Sequence, residues 1–138
     1  MLKNIPSTVY KGISFKDGEK PKFNLLKSSF IDQGLFINNK GGSPVIKPVP
    51  EYISMIETNI NNGNIVSIKE TELAQKIETF GNVAQIQSSY QLDFVGKQGS
   101  QRRYGVNLFQ LINNDGKWLI SSMCWDDEPD KSLIAESV

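Results

Sequence analysis

Histidine is absent from the 138 residues, and cysteine occurs once, as Cys124. Without imidazole there is no Ser-His or Cys-His nucleophile, no histidine proton shuttle and no ordinary zinc site. A lone thiol closes no internal disulfide, and Cys124, with no histidine to activate it, is expected to pack as a small apolar residue in a buried strand. Charge of one sign is also missing. Fifteen Lys and Arg balance fifteen Asp and Glu, which leaves no overall field to attract a phosphate backbone or an anionic membrane. Neither nucleic acid nor membrane is therefore an expected partner. No apolar run is long enough to span a bilayer, and the first twenty residues lack the apolar segment of a secretory signal. The expectation is a cytoplasmic protein.

What is present is an ordinary globular composition, 38% hydrophobic and 22% charged, in a length that suits one core. A single domain is expected over residues 1–128, with a flexible tail over 129–138. Ile5 to Phe15 carries apolar residues at Ile5, Val9, Tyr10 and Ile13 behind Pro6, which fits a first helical turn. Phe23, Leu26 and Phe30 share one face of a second short helix. Gly34 to Asn38 reads as a strand, Asn39 to Gly42 as a turn, and Pro44 to Lys47 as a short edge strand, since proline cannot donate to a ladder. Pro50 opens a helix with Tyr52, Ile53, Ile56 and Ile60 on one face, which Asn61, Asn62 and Gly63 close. Four strands follow: Ile65 to Thr79, Val83 to Phe94, Arg103 to Asn113 and Lys117 to Asp126. Gly81, the stretch from Gly96 to Ser100, and Asp115-Gly116 separate them as hairpin turns.

Helices first and an antiparallel meander last predict an α+β domain with the sheet bent over its helices. If Asp115-Gly116 is a two-residue turn, Asn107, Phe109, Leu111, Trp118, Ile120 and Cys124 share one face. Val106, Leu108, Ile112, Leu119, Met123 and Trp125 share the other. Trp118 and Trp125 then lie on opposite faces unless a bulge intervenes. With both faces apolar, one should cover the helices and a pocket, and the other a second subunit, so a homodimer is expected.

Several segments resemble the SnoaL-like and nuclear transport factor 2-like families. They are Val83-Ala84 after Phe80-Gly81-Asn82, then Ser88 and Tyr90, then Gly105 to Leu111, the Asp115-Gly116 turn, and Lys117-Trp118-Leu119-Ile120 running to Trp125. Upstream, Tyr10 to Phe15 and Phe30 to Ile37 are similar to the end of the families' first helix and their passage into the first strand. The likeness covers Val9 to Glu128. It implies a cone-shaped, cystatin-like α+β fold, a strongly curved and mostly antiparallel sheet wrapped around N-terminal helices, with a deep pocket and often a dimer. That superfold hosts isomerases, dehydratases, cyclases and transport adaptors, so it does not fix a function. Ketosteroid-isomerase-like members carry a carboxylate base just after the first strand and a tyrosine donor on the first helix. Here Asn38 and Asn39 stand where that base would be, while Tyr10 suits the tyrosine position.

The residues proposed to line the pocket are Tyr10, Phe36, Tyr52, Tyr90, Asn107 and Trp125. Phenols pair an apolar body with a donor, and Asn107 interrupts a strand of large apolar residues. Each of them also fits a plain core or rim position. Tyr10, Asp93 and Asp126 are the catalytic candidates, the two carboxylates because a raised pKa in an apolar pocket would suit an acid or base. The run Asp126-Asp127-Glu128, with Asp130 beyond it, is expected to be solvated surface, with no metal. Lys97, Arg102 and Arg103 form a basic rim at a hairpin tip. The leading expectation is a pocket protein for a small apolar or amphipathic molecule. The alternatives are a cofactor-independent isomerase, dehydratase or cyclase, and an adaptor that uses the open sheet face.

Overall fold

The computed structural model describes residues 1–128; the expected tail over 129–138, with Asp130, lies outside the described residues. Helices α1 (Ile5–Ile13) and α2 (Phe23–Ser29) precede strand β1 (Phe30–Asn38) and strand β2 (Val45–Pro48). Helix α3 (Val49–Asn61) then leads into β3 (Ile65–Phe80), β4 (Val83–Gly96), β5 (Gly99–Asn114) and β6 (Lys117–Glu128). The sheet runs β2-β1-β6-β5-β4-β3, and β1–β6 is its parallel pair. β2, which carries Pro48, is an edge strand.

Local chemistry explains these elements. Pro6 and Pro50 sit in the first turns of α1 and α3, where no intrahelical N–H is lost. Val9, Tyr10 and Ile13 of α1 and Ile53 and Ile56 of α3 recur at helical spacing and are buried. α1 and α2 touch closely because residue 12 is glycine: a Cβ there would lie 2.9 Å from Leu26 Cδ2. Asp115 and Gly116 both have positive φ, 52° and 87°, as the type I′ turn joining β5 to β6 demands.

The inner sheet face supplies Ala84, Ile86 and Tyr90 from β4, Phe109 and Leu111 from β5, and Ile120 and Met123 from β6, all buried in one cluster with the helices. Each large side chain so buried contributes about 1.5–3 kcal/mol. The outward alternation differs from expectation at one point. Gln110 pairs with Ser122 and Leu111 with Ile120, so Ser121 is an extra residue in β6. Beyond that bulge the faces exchange. Met123 and Trp125 turn inward and Cys124 outward, which brings Trp118 and Trp125 to the same inner face against the core. Val106, Leu108, Ile112 and Leu119 stay on the outer face as expected. Among the described residues no helix is long and apolar enough to cross a membrane.

Candidate functional site

The curvature of the sheet leaves a cavity of about 90 Å³ between α1, α3 and the inner face. Strand alternation delivers its walls: Phe36 from β1, Glu70 from β3, Tyr90 and Leu92 from β4, Asn107 from β5, and Met123, Trp125 and Asp127 from β6. Tyr52, at the start of α3, closes one side. It stacks on Phe36 with ring centroids 3.9 Å apart and planes 7° from parallel. Trp125 stands edge-on to both, 6.1 Å from Tyr52 and 6.3 Å from Phe36. These interlocked rings form a stiff aromatic wall.

Glu70 is the unusual member. Its carboxyl makes no hydrogen bond and no ion pair among the described residues; its backbone N–H donates to Ser14 Oγ at 3.0 Å. Burial, with repulsion from Asp127 added, raises its pKa to about 8, while the residue as a whole is half-buried and its carboxyl oxygens still reach solvent. Burial, then the charge of Glu70, also pushes the Tyr52 and Tyr90 phenols well above their ordinary value. Neither hydroxyl has a hydrogen-bond partner among the described residues.

Behind the cavity a buried chain of hydrogen bonds runs from β5 through α1 to β4 and β3. Ser88 Oγ donates to Glu72 Oε2 at 2.6 Å, so the Tyr10 hydroxyl donates to Ser88 Oγ at 2.8 Å. Tyr10 must then accept from Asn107 Nδ2, at 2.9 Å. That sequence of donors fixes the Asn107 amide and leaves its Oδ1 buried without a partner. Gln75 Nε2 holds the other end through Glu72 Oε1 at 2.9 Å.

Phe36, Tyr52, Tyr90, Asn107 and Trp125 thus meet at one cavity, while Tyr10 stands one layer back, its ring edge-on to Tyr90 at 6.3 Å. The two carboxylates considered for catalysis lie elsewhere. Asp93 is paired with Arg102 Nε at 2.6 Å, which holds its carboxyl below the usual range. Asp126 is exposed on the outer face and accepts from the Asp127 N–H at 2.8 Å. Asp127, expected in solvent, is instead buried and ion-paired to Arg103 Nη2 at 2.9 Å and Lys40 Nζ at 3.5 Å. The bulge at Ser121 is the cause: it turns 127 inward and 126 outward. The expected basic rim is accordingly divided, Arg102 serving Asp93 and Arg103 serving Asp127. Glu70 escaped the sequence analysis, although it falls two residues from Ile68 on the inward phase of β3. Among the described residues no cluster of three or more Cys, Asp or Glu is placed to hold a metal.

No family model matches this chain, and no curated protein matches its sequence. Solved structures do. A hexachlorocyclohexane dehydrochlorinase, LinA-type3, from Novosphingobium barchaimii superimposes with a TM-score of 0.73 at 14% identity, over 92% of this chain and 84% of that one. A protein of unknown function with a cystatin-like fold from Nostoc punctiforme gives 0.67 at 13% identity, over 96% and 92%. A nuclear transport factor 2-like protein of unknown function from Shewanella baltica gives 0.57 at 15%, over 94% and 92%. The class is therefore an α+β cone with a curved, mostly antiparallel sheet closed over helices. Within that class the chain has the nuclear transport factor 2-like, or cystatin-like, fold.

Proposed function

We propose that this protein binds a small molecule in the cavity between α1, α3 and the inner sheet face. The observation that carries this role is Glu70, a carboxyl without protein partners in a cavity lined mainly by aromatic and aliphatic side chains. An unpaired acid in an apolar cavity destabilises the fold, and such groups concentrate where a ligand or a reaction uses them. The test is a ¹⁵N NMR titration of the full chain with a library of small polar fragments. Shifts gathered on Phe36, Tyr52, Tyr90 and the Trp125 indole support the role, and fragments that move only surface amides count against it.

A second role, proton transfer without a cofactor, is favoured by one feature: an acid with a pKa near 8 lies close to two unbonded phenols. Ionised Glu70 would serve as base and Tyr52 or Tyr90 as donor, the pairing that isomerisation or elimination requires. One structural neighbour is a dehydrochlorinase. Deuterium exchange at an acidic C–H of a bound fragment, lost in Glu70→Gln, would distinguish catalysis from binding.

As partner we propose a second copy of the chain on the outer sheet face. Leu108 is 47% exposed there, and Val106, Ile112 and Cys124 around it are half-buried. Light scattering should give twice the chain mass for the native protein and the chain mass for Leu108→Asp.

A further inference from the structure

We propose that the free edge of β3 is a second association surface of this protein and that its partner is the same edge of another copy, Ala74–Phe80 pairing antiparallel with Ala74–Phe80 about a two-fold axis at Ile77. This surface is separate from the outer sheet face and does not depend on it.

The edge is open along only part of its length. β3 lies last in the sheet order and has a neighbouring strand, β4, on one side alone. The other side of its first half is occupied: Phe15 and Ile68 exchange both backbone bonds, at 2.8 and 3.0 Å, and the Glu70 N–H goes to Ser14 Oγ. Opposite Tyr90 and Ser89 the ladder shifts, so Leu73 is an extra residue in β3. Beyond it, among the described residues, the backbone is bonded to β4 alone. Lys3 does accept from Gln75 Nε2 at 3.0 Å, but that bond uses the side chain. What remains is a regular stretch, Ala74–Phe80, bounded by the Leu73 bulge and the Gly81-Asn82 turn. Its midpoint is Ile77. An unpaired stretch of this kind is a template for another strand.

Backbone direction decides which residues offer themselves. The two-residue turn closes on Phe80 and Val83, which bond to each other, and the direction then alternates along the strand. Phe80, Glu78, Lys76 and Ala74 therefore turn their N–H and C=O toward β4. Ser89 Oγ of β4, which meets the Ala74 carbonyl at 3.5 Å, agrees with this. Thr79, Ile77 and Gln75 turn theirs to the open side. With Ile77 opposite Ile77 of the second copy, Thr79 falls opposite Gln75, and each outward group finds its counterpart.

Side chains select that register. It sets Lys76 opposite Glu78 of the second copy and Glu78 opposite its Lys76, so the two-fold axis makes a pair of opposite-charge contacts. The neighbouring registers that keep the outward groups paired set Lys76 against Lys76 or Glu78 against Glu78. Among the described residues Lys76 has no ion pair, and Glu78 has none either, although it accepts from Gln85 Nε2 at 2.7 Å. Phe80, 86% exposed, falls against Ala74 of the second copy, a large ring over a small side chain. Both contacts lie between the backbone-bonded pairs, where side chains approach most closely across an antiparallel ladder. Ile77 meets its own copy on the inner side, where it already packs against the core.

The seam is short, and small interfaces associate weakly, so pairing should emerge on concentration. The experiment is light scattering from about 10 μM to about 1 mM on Leu108→Asp, in which the edge acts without the outer face. This variant, of chain mass when dilute, should approach twice the chain mass at the top of the range. Adding Lys76→Glu sets acids against acids, and adding Glu78→Lys instead sets lysines against lysines. Each should stay at the chain mass, while an equimolar mixture of the two, which restores both opposite-charge contacts, should double. Hydrogen exchange on the native protein reads the same seam even if Leu108→Asp does not fold. The Gln75, Ile77 and Thr79 amides should exchange fast when dilute and slow by about fivefold on concentration, whereas those of Lys76 and Glu78, bonded to β4, should be slow throughout. Chain mass at the highest concentration, single-charge variants that double like their parent, or a mixture that does not double would each overturn the proposal. Open-side amides that are slow at every dilution would overturn it as well, since another part of the chain would then cover the edge.

Discussion

Gly105 faces Tyr90 across the β4–β5 ladder, and the side chain missing at 105 is the space in which the Tyr90 hydroxyl lies. A methyl there would meet that hydroxyl and would also sit 2.5 Å from the Asp126 carbonyl oxygen. The glycine is thus required by close approach, since its φ is not positive. Gly105→Ala should cost about 1–3 kcal/mol as the ring is displaced. Adding Tyr90→Phe removes the nearest clashing atom, so the double variant should recover part of the loss; the backbone clash with Asp126 remains. Urea unfolding of the four-member cycle checks this, and additivity within about 0.5 kcal/mol would contradict the contact.

The two buried phenols should respond differently to loss of the hydroxyl. Tyr10 receives from Asn107 and donates to Ser88, so Tyr10→Phe strands a buried amide N–H and should cost about 1–3 kcal/mol. The Tyr90 hydroxyl bonds to nothing among the described residues, so Tyr90→Phe should cost less than about 1 kcal/mol and leave the fold intact. Equal losses would mean that the Asn107–Tyr10–Ser88 chain is not formed in solution.

Glu70 makes stability depend on pH with an unusual sign. Its pKa is raised in the folded protein, from 4.5 to about 8, so between those values the folded state holds a proton the unfolded chain has released. Stability should therefore be highest, as far as this group is concerned, below about pH 4.5, fall through the window, and level off above about pH 8. Thermal unfolding from pH 5 to pH 9 should show Glu70→Gln losing less stability than the native protein, with the gap widening upward. Parallel curves would place Glu70 in solvent.

The elements were legible in the sequence because several kinds of local preference agreed. Pro6 and Pro50 marked helix starts, Asp115-Gly116 demanded a tight turn, and Tyr52, Ile53, Ile56 and Ile60 kept helical spacing. The site was only half legible. Phe36, Tyr52, Tyr90, Asn107 and Trp125 could be gathered as aromatic or amide positions, Trp125 even though plain alternation set it on the face opposite Asn107, but their carboxylate could not. β3 is an edge strand whose far half is exposed, so Glu70 and Glu72 look there like ordinary solvated charges. β6 hid its bulge for another reason. With Leu119, Cys124 and their neighbours making both faces apolar, alternation does not pin the register, and an extra Ser121 leaves no mark in the pattern. Every position past it, Asp126 and Asp127 included, changed sides.

That exchange can be measured at Asp126 and Asp127, adjacent carboxylates with opposite surroundings. Asp127 is 6% exposed and compensates Arg103, whose Nε is itself buried without a partner. Asp127→Asn leaves that guanidinium partly buried and uncompensated, at a cost of about 2–3 kcal/mol, the low side of what breaking a fully buried pair costs, since Lys40 is half exposed. Asp126→Asn, at an exposed position, should stay within about 0.5 kcal/mol. Asp127→Asn carries a second signature, because Asp127 is one cause of the raised pKa of Glu70. Removing its charge should move the Glu70 titration, followed by the ¹³C shift of the carboxyl, downward from about 8, whereas Asp126→Asn should leave it nearly in place. If the two variants behaved in reverse, β6 would lack the extra residue at Ser121, and the cavity would be lined by the other face of the strand.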